Sequence, residues 1–271
     1  MKIFDELINL ICSVRNDMKI NVWTDNKKKF IPKIYYIGLG KTGSSSIKHG
    51  FSQVNTAHWH DVGYFELIYG TNLLSSNNYD LYDFILYIGN KYNFKPIIIE
   101  CIRNIIDLEL STIFQHIKKD RKHGNDCQIC ALKKITHSSL ATEKIKEIMI
   151  DAFYQEKEPY SVKMYKKHFN IDLLSDFDIE KNYFFYDNNS CMLLFLKFEN
   201  IDIWSEIINS ILPYKFKLTH SNKTTNIMYN KVKKKLKFTN KELKVLENKI
   251  STTFYDNYEI EAIKKKFLVI S

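Results

Sequence analysis

Three groups of residues have the types and spacing to do chemistry. The first is Gly38-Leu39-Gly40-Lys41-Thr42-Gly43-Ser44-Ser45-Ser46. Its glycines let the backbone turn tightly and approach a ligand closely. Successive N–H groups at the start of a helix favour an anion. Thr42 and the three serines add hydroxyl donors, and Lys41 adds a full positive charge. Together they make a cradle for a phosphate or sulfate group. The second group is Arg103 with Ser111, eight residues later. Arginine offers a planar fork of donors that matches phosphate oxygens, and a serine on a following helix reaches the same phosphate. The third is His58 with His60, side chains suited to taking a proton near neutral pH. Two residues apart, they share a face if they lie on a strand. They equally suit packing or capping at a strand end.

Elements must hold these groups in place. Lys33 to Gly38 is short, β-branched and aromatic, and ends in glycine, which reads as a buried strand. Ser44 to Gln53 has helical character. Pro96 to Ile102 is a second buried strand, followed by a helix over Ile106 to Lys118. Cys191 to Phe198 is a third strand, followed by a helix over Trp204 to Leu212. Gln53 to His58 is a weaker strand. Met1 to Arg15 reads as an amphipathic helix. Strands alternating with helices imply an α/β fold with a central parallel sheet covered on both faces. We expect one domain over 1–271. Its core spans about 31–117 and 186–230, a helical insertion spans about 118–185, and a C-terminal helical segment spans about 231–271. The phosphate loop sits between the first strand and a helix, so the sheet is expected to be P-loop-like.

The loop does not follow the nucleotide-triphosphate pattern G-x-x-x-x-G-K-[ST]. Gly40-Lys41-Thr42 supplies its end, but the position of its first glycine is Tyr35. A bare strand-to-helix turn with polar caps would need fewer hydroxyls and no lysine.

Lys41-Thr42-Gly43-Ser44-Ser45 resembles the K-[ST]-G-[ST]-[ST] loop of the sulfotransferases that use PAPS (3′-phosphoadenosine-5′-phosphosulfate). Their second motif, a buried strand ending in Arg with a Ser eight residues on, is matched by Ile97 to Arg103 and Ser111. Phe198-Glu199-Asn200 resembles the aromatic-Glu-Asp triplet that ends a late strand of that family. More narrowly, the chain is similar to sulfotransferase-like proteins of capsular polysaccharide synthesis. That likeness lies in His58-Trp59-His60, Phe169-Asn170-Ile171-Asp172, Asn222 with Tyr229, and Phe254-Tyr255 with Glu259. The resemblance implies sulfuryl transfer from PAPS to a hydroxyl or amine, on a saccharide or glycoconjugate, with PAP as the nucleotide product and no metal. It implies that Lys41 and loop residues Thr42, Gly43, Ser44, Ser45 and Ser46 hold the 5′-phosphosulfate, and that Arg103 and Ser111 hold the 3′-phosphate. Glu199 would be structural. His60, with His58 behind it, would be the base, and Glu66 and Glu100 are outside candidates. The sequence departs from the family at Ser46, where some members carry a tryptophan that stacks on adenine, and in lacking an evident C-terminal Arg-Lys-x-Gly loop. Two other readings stay open. One is a P-loop kinase using ATP and magnesium, for which Asp202 is the nearest metal-binding acid. The other is a nucleotide-binding relative without catalysis.

Composition sets wider bounds. The 271 residues are 45% hydrophobic, enough for a sizeable core. The net charge of +9 favours anionic partners, although a general abundance of Lys, Asn and Ile contributes to it. No apolar run reaches the length of a membrane span, and the start lacks the layout of a secretory signal. A cytoplasmic location is expected, with no integral membrane segment and no nucleic-acid partner. Five cysteines at irregular spacing do not form a disulfide framework. Cys127 and Cys130, near His123 and His137, make one metal-type pair where structural zinc uses two, so no metal site is assigned. The basic run Lys231 to Lys237 reads as a solvated helix face that could also attract an acidic glycan.

Overall fold

The computed structural model describes residues 2–16, 31–38, 43–52, 54–59, 62–118, 139–154, 160–219, 227–245 and 253–269. In chain order the elements are α1 (Lys2–Asn16), β1 (Ile34–Ile37), α2 (Ser44–Gly50), β2 (Thr56–Trp59), α3 (Val62–Tyr69), α4 (Leu81–Tyr92), β3 (Ile97–Ile102), α5 (Ile105–Lys118), α6 (Ser139–Tyr154), α7 (Tyr160–Phe169), α8 (Leu173–Asp176), β4 (Tyr183–Asp187), β5 (Met192–Lys197), a 3₁₀ stretch (Phe198–Ile203), α9 (Trp204–Ile211), α10 (Ile227–Lys235), α11 (Asn240–Lys244) and α12 (Asn257–Phe267).

The strands form one five-stranded sheet in the order β2-β1-β3-β5-β4. β1 runs parallel to β2, with Ile34 opposite Thr56 and Ile37 opposite Trp59. It also runs parallel to β3, with Ile34 opposite Ile97, and β3 runs parallel to β5 from Ile97–Met192 to Ile102–Lys197. Every residue of β1 and β3 is buried, as a sheet covered on both faces requires. Side-chain alternation divides them. Tyr35, Ile37, Trp59, Ile98, Leu193 and Phe195 face a core with residues of α1, α4 and α7. Ile34, Tyr36, Ile97, Ile99, Leu194 and Leu196 face a second core with Ile47 of α2 and Trp204, Ile207 and Ile208 of α9. A third core joins α5 and α6 to the C-terminal segment through Ile106, Leu110, Met149, Phe153, Leu236, Phe238 and Phe267.

Two boundaries differ from the sequence expectation. β4 is antiparallel to β5, so the sheet is mostly rather than wholly parallel. Tyr183-Phe184-Phe185 was expected inside the helical insertion. The segment instead forms the outer arm of a hairpin, whose turn is held by Asn188 Oδ1 accepting from Ser190 N and Cys191 N at 2.8 Å each. An edge strand carries half-exposed side chains, so its run blends into the charged residues before it. The described part of 118–185 is otherwise helical, and α10 begins at Ile227, inside the expected core range.

The order of connections places the crevice. From β1 the chain passes through α2, on one face, to β2. It then passes through α3 and α4, on the other face, to β3 on the opposite side of β1. The strand order therefore reverses between β1 and β3. Ligands of open α/β sheets bind outside the carboxyl ends of strands at such a point. Gly38 follows β1 there, and Arg103 follows β3. Among the described residues, no helix is long and apolar enough to cross a membrane.

Candidate anion-binding site

Gly38 leaves β1 at φ 149°, and Gly43 enters α2 at φ 93°. Side chains rarely adopt that backbone, so glycine is required at Gly43 for conformation. It is also required for space: a Cβ there would stand 2.4 Å from Trp204 Cη2 and 3.4 Å from Phe198 Cδ2. Ile47 N donates to Gly43 O at 3.0 Å, so the first turn of α2 begins at this residue. Ser44 and Ser46 are buried, and Ser45 is half-buried. Lys41, Thr42 and His60 lie outside the described residues.

Arg103 and Ser111 are brought together. Arg103 Nη1 donates to Ser111 Oγ at 3.1 Å, from the end of β3 to the second turn of α5. The guanidinium carbon lies 4.4 Å from the centre of the Phe198 ring. That ring packs edge-on against Trp204, centroids 6.1 Å apart. Trp204 is fully buried, and its Nε1 donates to Lys197 O at 3.0 Å. Gly43 and Arg103 therefore border one aromatic pair at the end of β5.

The turn carrying Arg103 is held from three directions. Glu199 Oε1 accepts from Asn104 N at 2.9 Å and from Asn104 Nδ2 at 2.7 Å. Its Oε2 accepts from the Tyr255 hydroxyl at 2.7 Å. Glu199 thus ties the end of β3 to the C-terminal segment. Asn104 Oδ1 accepts from Asp107 N at 2.9 Å, closing the start of α5. Asp107 is buried and pairs with Lys233 of α10 and with Lys266 of α12 at 3.0 Å. Burial pushes the Asp107 carboxyl up, but the two lysines more than reverse this and hold it at about 2. One turn further along α5, Ser111 Oγ lies 3.4 Å from the Tyr229 hydroxyl of α10.

The remaining candidates are placed as follows. His58 is half-buried on β2, its ring edge-on to Tyr36 at 5.4 Å. Glu66 Oε1 and Oε2 accept from Ser75 N and Oγ, at 2.8 Å each, which fixes a loop. Glu100 is 2% exposed and bonded to the Tyr82 hydroxyl on the α4 face of the sheet. Burial pushes its carboxyl well above the ordinary range. Cys127 and Cys130 lie outside the described residues. His168, for which the sequence suggested no partner, accepts a place beside Asp80 with Nε2 2.8 Å from Oδ2. With Asp83 these residues converge as metal ligands would. Asp80 Oδ1, however, caps α4 through Tyr82 N and Asp83 N, and Lys167 Nζ sits 2.6 Å from Oδ2. A lysine already supplies the positive charge, and the group ties α4 to α7.

Of the residues around Arg103, Phe198 and Glu199 were visible as an aromatic-acid pair ending a strand. Asp107 could have been found from its spacing, four residues after Arg103 and four before Ser111 on one helix face. Lys233 and Lys266 carry no local signal for this role, because their partner Asp107 is remote in sequence, and Tyr229 and Tyr255 enter the sequence reading only through the resemblance. Compared with protein-family models, with curated proteins and with solved structures, the chain matches none.

Proposed function

We propose that this chain is a PAPS-dependent sulfotransferase on a P-loop-like sheet, acting on a hydroxyl or amine of a saccharide or glycoconjugate. The observation that carries the reading is the 3.1 Å contact between Arg103 and Ser111 beside the β1/β3 crevice. A guanidinium bonded to a hydroxyl, next to a glycine-bounded loop, suits a ligand with two separated anionic groups. PAPS is such a ligand, and its 3′-phosphate distinguishes it from ordinary adenine nucleotides. In this reading Arg103 and Ser111 hold that phosphate, and the 5′-phosphosulfate falls to the loop from Gly38 to Ser46.

Sulfuryl transfer resembles phosphoryl transfer, in which positioning and charge stabilisation dominate. The bond between sulfur and the bridging phosphate oxygen breaks as the acceptor oxygen or nitrogen bonds to sulfur. Lys41 offsets charge on the departing oxygen, and loop N–H groups hold the non-bridging oxygens. The acceptor proton passes to a base, with His60 the first candidate and His58 supporting it.

The test is a calorimetric titration with PAP, AMP, ADP and ATP-Mg on wild type and Arg103→Ala. PAP binding that exceeds the others and weakens by about tenfold or more in the variant supports the reading. Preference for ATP-Mg, or an unchanged variant, overturns it and favours a kinase.

A further inference from the structure

Arg103 and Ser111 are not alone at their end of the crevice. The C-terminal segment lays two further donors beside them, both on α10: Tyr229, 3.4 Å from Ser111 Oγ, and Lys233, one turn on, paired with Asp107. Lys233 Nζ lies 5.8 Å from the centre of the Tyr229 ring, so both present one face of α10 to one face of α5. Tyr229 is fixed there, buried and edge-on to Phe114 at 5.4 Å. Two cations, Lys233 and Lys266, share one carboxylate, Asp107, and Arg103 is bonded to Ser111 one turn along α5. Glu199 has both oxygens engaged by Asn104 and Tyr255. A structural ion pair needs one lysine on Asp107. Two lysines from two helices on one carboxylate leave a charge that an incoming anion can take up.

We infer that Tyr229 and Lys233 complete a phosphate-monoester pocket with Arg103 and Ser111, and that Asp107 holds Lys233 in reserve until the ligand enters. A monoester has three terminal oxygens, and guanidinium, two hydroxyls and ammonium satisfy them from three elements. A diester, with two such oxygens, leaves donors unused. On entry the Lys233 ammonium turns from Asp107 to the phosphate, and Lys266 keeps Asp107 paired. The C-terminal segment is thereby part of the ligand site rather than an outer support. The assignment rests on the nucleotide reading above for the identity of the ligand, though not for the pocket's charge.

The test compares PAP with AMP, which lacks the 3′-phosphate, on wild type, Tyr229→Phe, Lys233→Gln, Asp107→Asn and the double variant Lys233→Gln/Asp107→Asn. Charged hydrogen bonds of this kind correspond to about a tenfold effect or more, and a neutral hydroxyl to a few-fold one. The expected result is PAP affinity lowered about tenfold by Lys233→Gln and about threefold by Tyr229→Phe, with AMP unchanged. Asp107→Asn, which frees Lys233, is expected to bind PAP at least as tightly as wild type. If Lys233→Gln alone fails to fold, the double variant against Asp107→Asn gives the same comparison without a buried carboxylate that has lost one of its two lysines. Equal PAP affinity in the lysine and tyrosine variants overturns the inference while leaving the nucleotide reading intact. If wild type does not prefer PAP to AMP, that reading fails separately. The pocket is then judged by thermal stabilisation with inorganic phosphate, retained if this depends on Lys233 and rejected if it does not.

Discussion

Arg103 lies with its guanidinium carbon 4.4 Å from the centre of the Phe198 ring, and a Cβ on Gly43 would come within 3.4 Å of Cδ2 of the same ring. One side chain at the end of β5 therefore spaces the two halves of the anion site. Arginine stacked on an aromatic face keeps its in-plane donors free for a ligand, and the stack contributes about 0.5–2 kcal/mol. Phe198→Leu retains apolar volume and loses the ring. We expect PAP binding three- to tenfold weaker, with a melting temperature close to wild type, as measured by calorimetric titration and thermal unfolding.

Gly43→Ala meets two penalties at once. The backbone there has φ 93°, and the new methyl would stand 2.4 Å from a buried tryptophan ring. Trp204 cannot move aside cheaply, because it is fully buried and its Nε1 is bonded to Lys197 O. Strain at a positive φ and overpacking each cost about 1–3 kcal/mol. The expected loss is about 2–5 kcal/mol in denaturant unfolding, with weaker nucleotide binding in the fraction that folds. A variant as stable as wild type would show that the α2–Trp204 contact is looser than this geometry.

The parts of this architecture that could be read from the sequence are those made of local runs. The all-apolar Ile97-Ile98-Ile99 and Leu193-Leu194 segments announce buried strands, and Gly43 before three serines announces the start of a helix. Arg103 and Ser111 could be paired because strand and helix fix their separation. The edge strand Tyr183–Asp187 was hidden, since half-exposed aromatics next to charges lack a clean alternation; the Asp187-Asn188-Asn189-Ser190 turn after it was the usable signal. Glu100 reads as a possible base in sequence and is a core acid in the fold, because nothing local tells which face of β3 packs on Tyr82. Tyr229, Lys233 and Tyr255 reach their partners only through tertiary packing of the C-terminal segment, which a sequence pattern does not encode.

Asp107 makes acid stability specific. Its carboxyl is held at about 2 against an ordinary value of 3.8, chiefly opposed by burial and lowered by Lys233 and Lys266. A group whose folded pKa is depressed contributes stability above its unfolded value and loses it as pH falls through the folded value. The contribution, on the order of 2 kcal/mol, should be present above about pH 4 and disappear between about pH 4 and 2. Asp107→Asn should flatten that part of the stability profile, in denaturant titrations across pH 2–6. An unchanged slope would assign the acid transition to other carboxylates.

Lys197 and Glu259 form an ion pair of unequal partners, and the inequality predicts which loss is worse. Lys197 is fully buried at the end of β5, with Nζ 2.8 and 2.7 Å from the two Glu259 oxygens and 5.1 Å from the Tyr255 ring centre. Glu259 is 24% exposed and also caps α12, where Asp256 N donates to its Oε2 at 3.0 Å. Glu259→Gln leaves a buried ammonium without a counter-ion, at a cost of about 3–5 kcal/mol. Lys197→Met leaves a carboxylate that water can reach and that keeps its capping bond, so the cost should be about 1–2 kcal/mol. The double variant Lys197→Met/Glu259→Gln should recover most of the loss caused by Glu259→Gln, because no charge is then left buried. Chemical denaturation of the four proteins at one pH measures the cycle. Equal losses in the two single variants would mean that water reaches Lys197 and that α12 does not seal this end of the sheet.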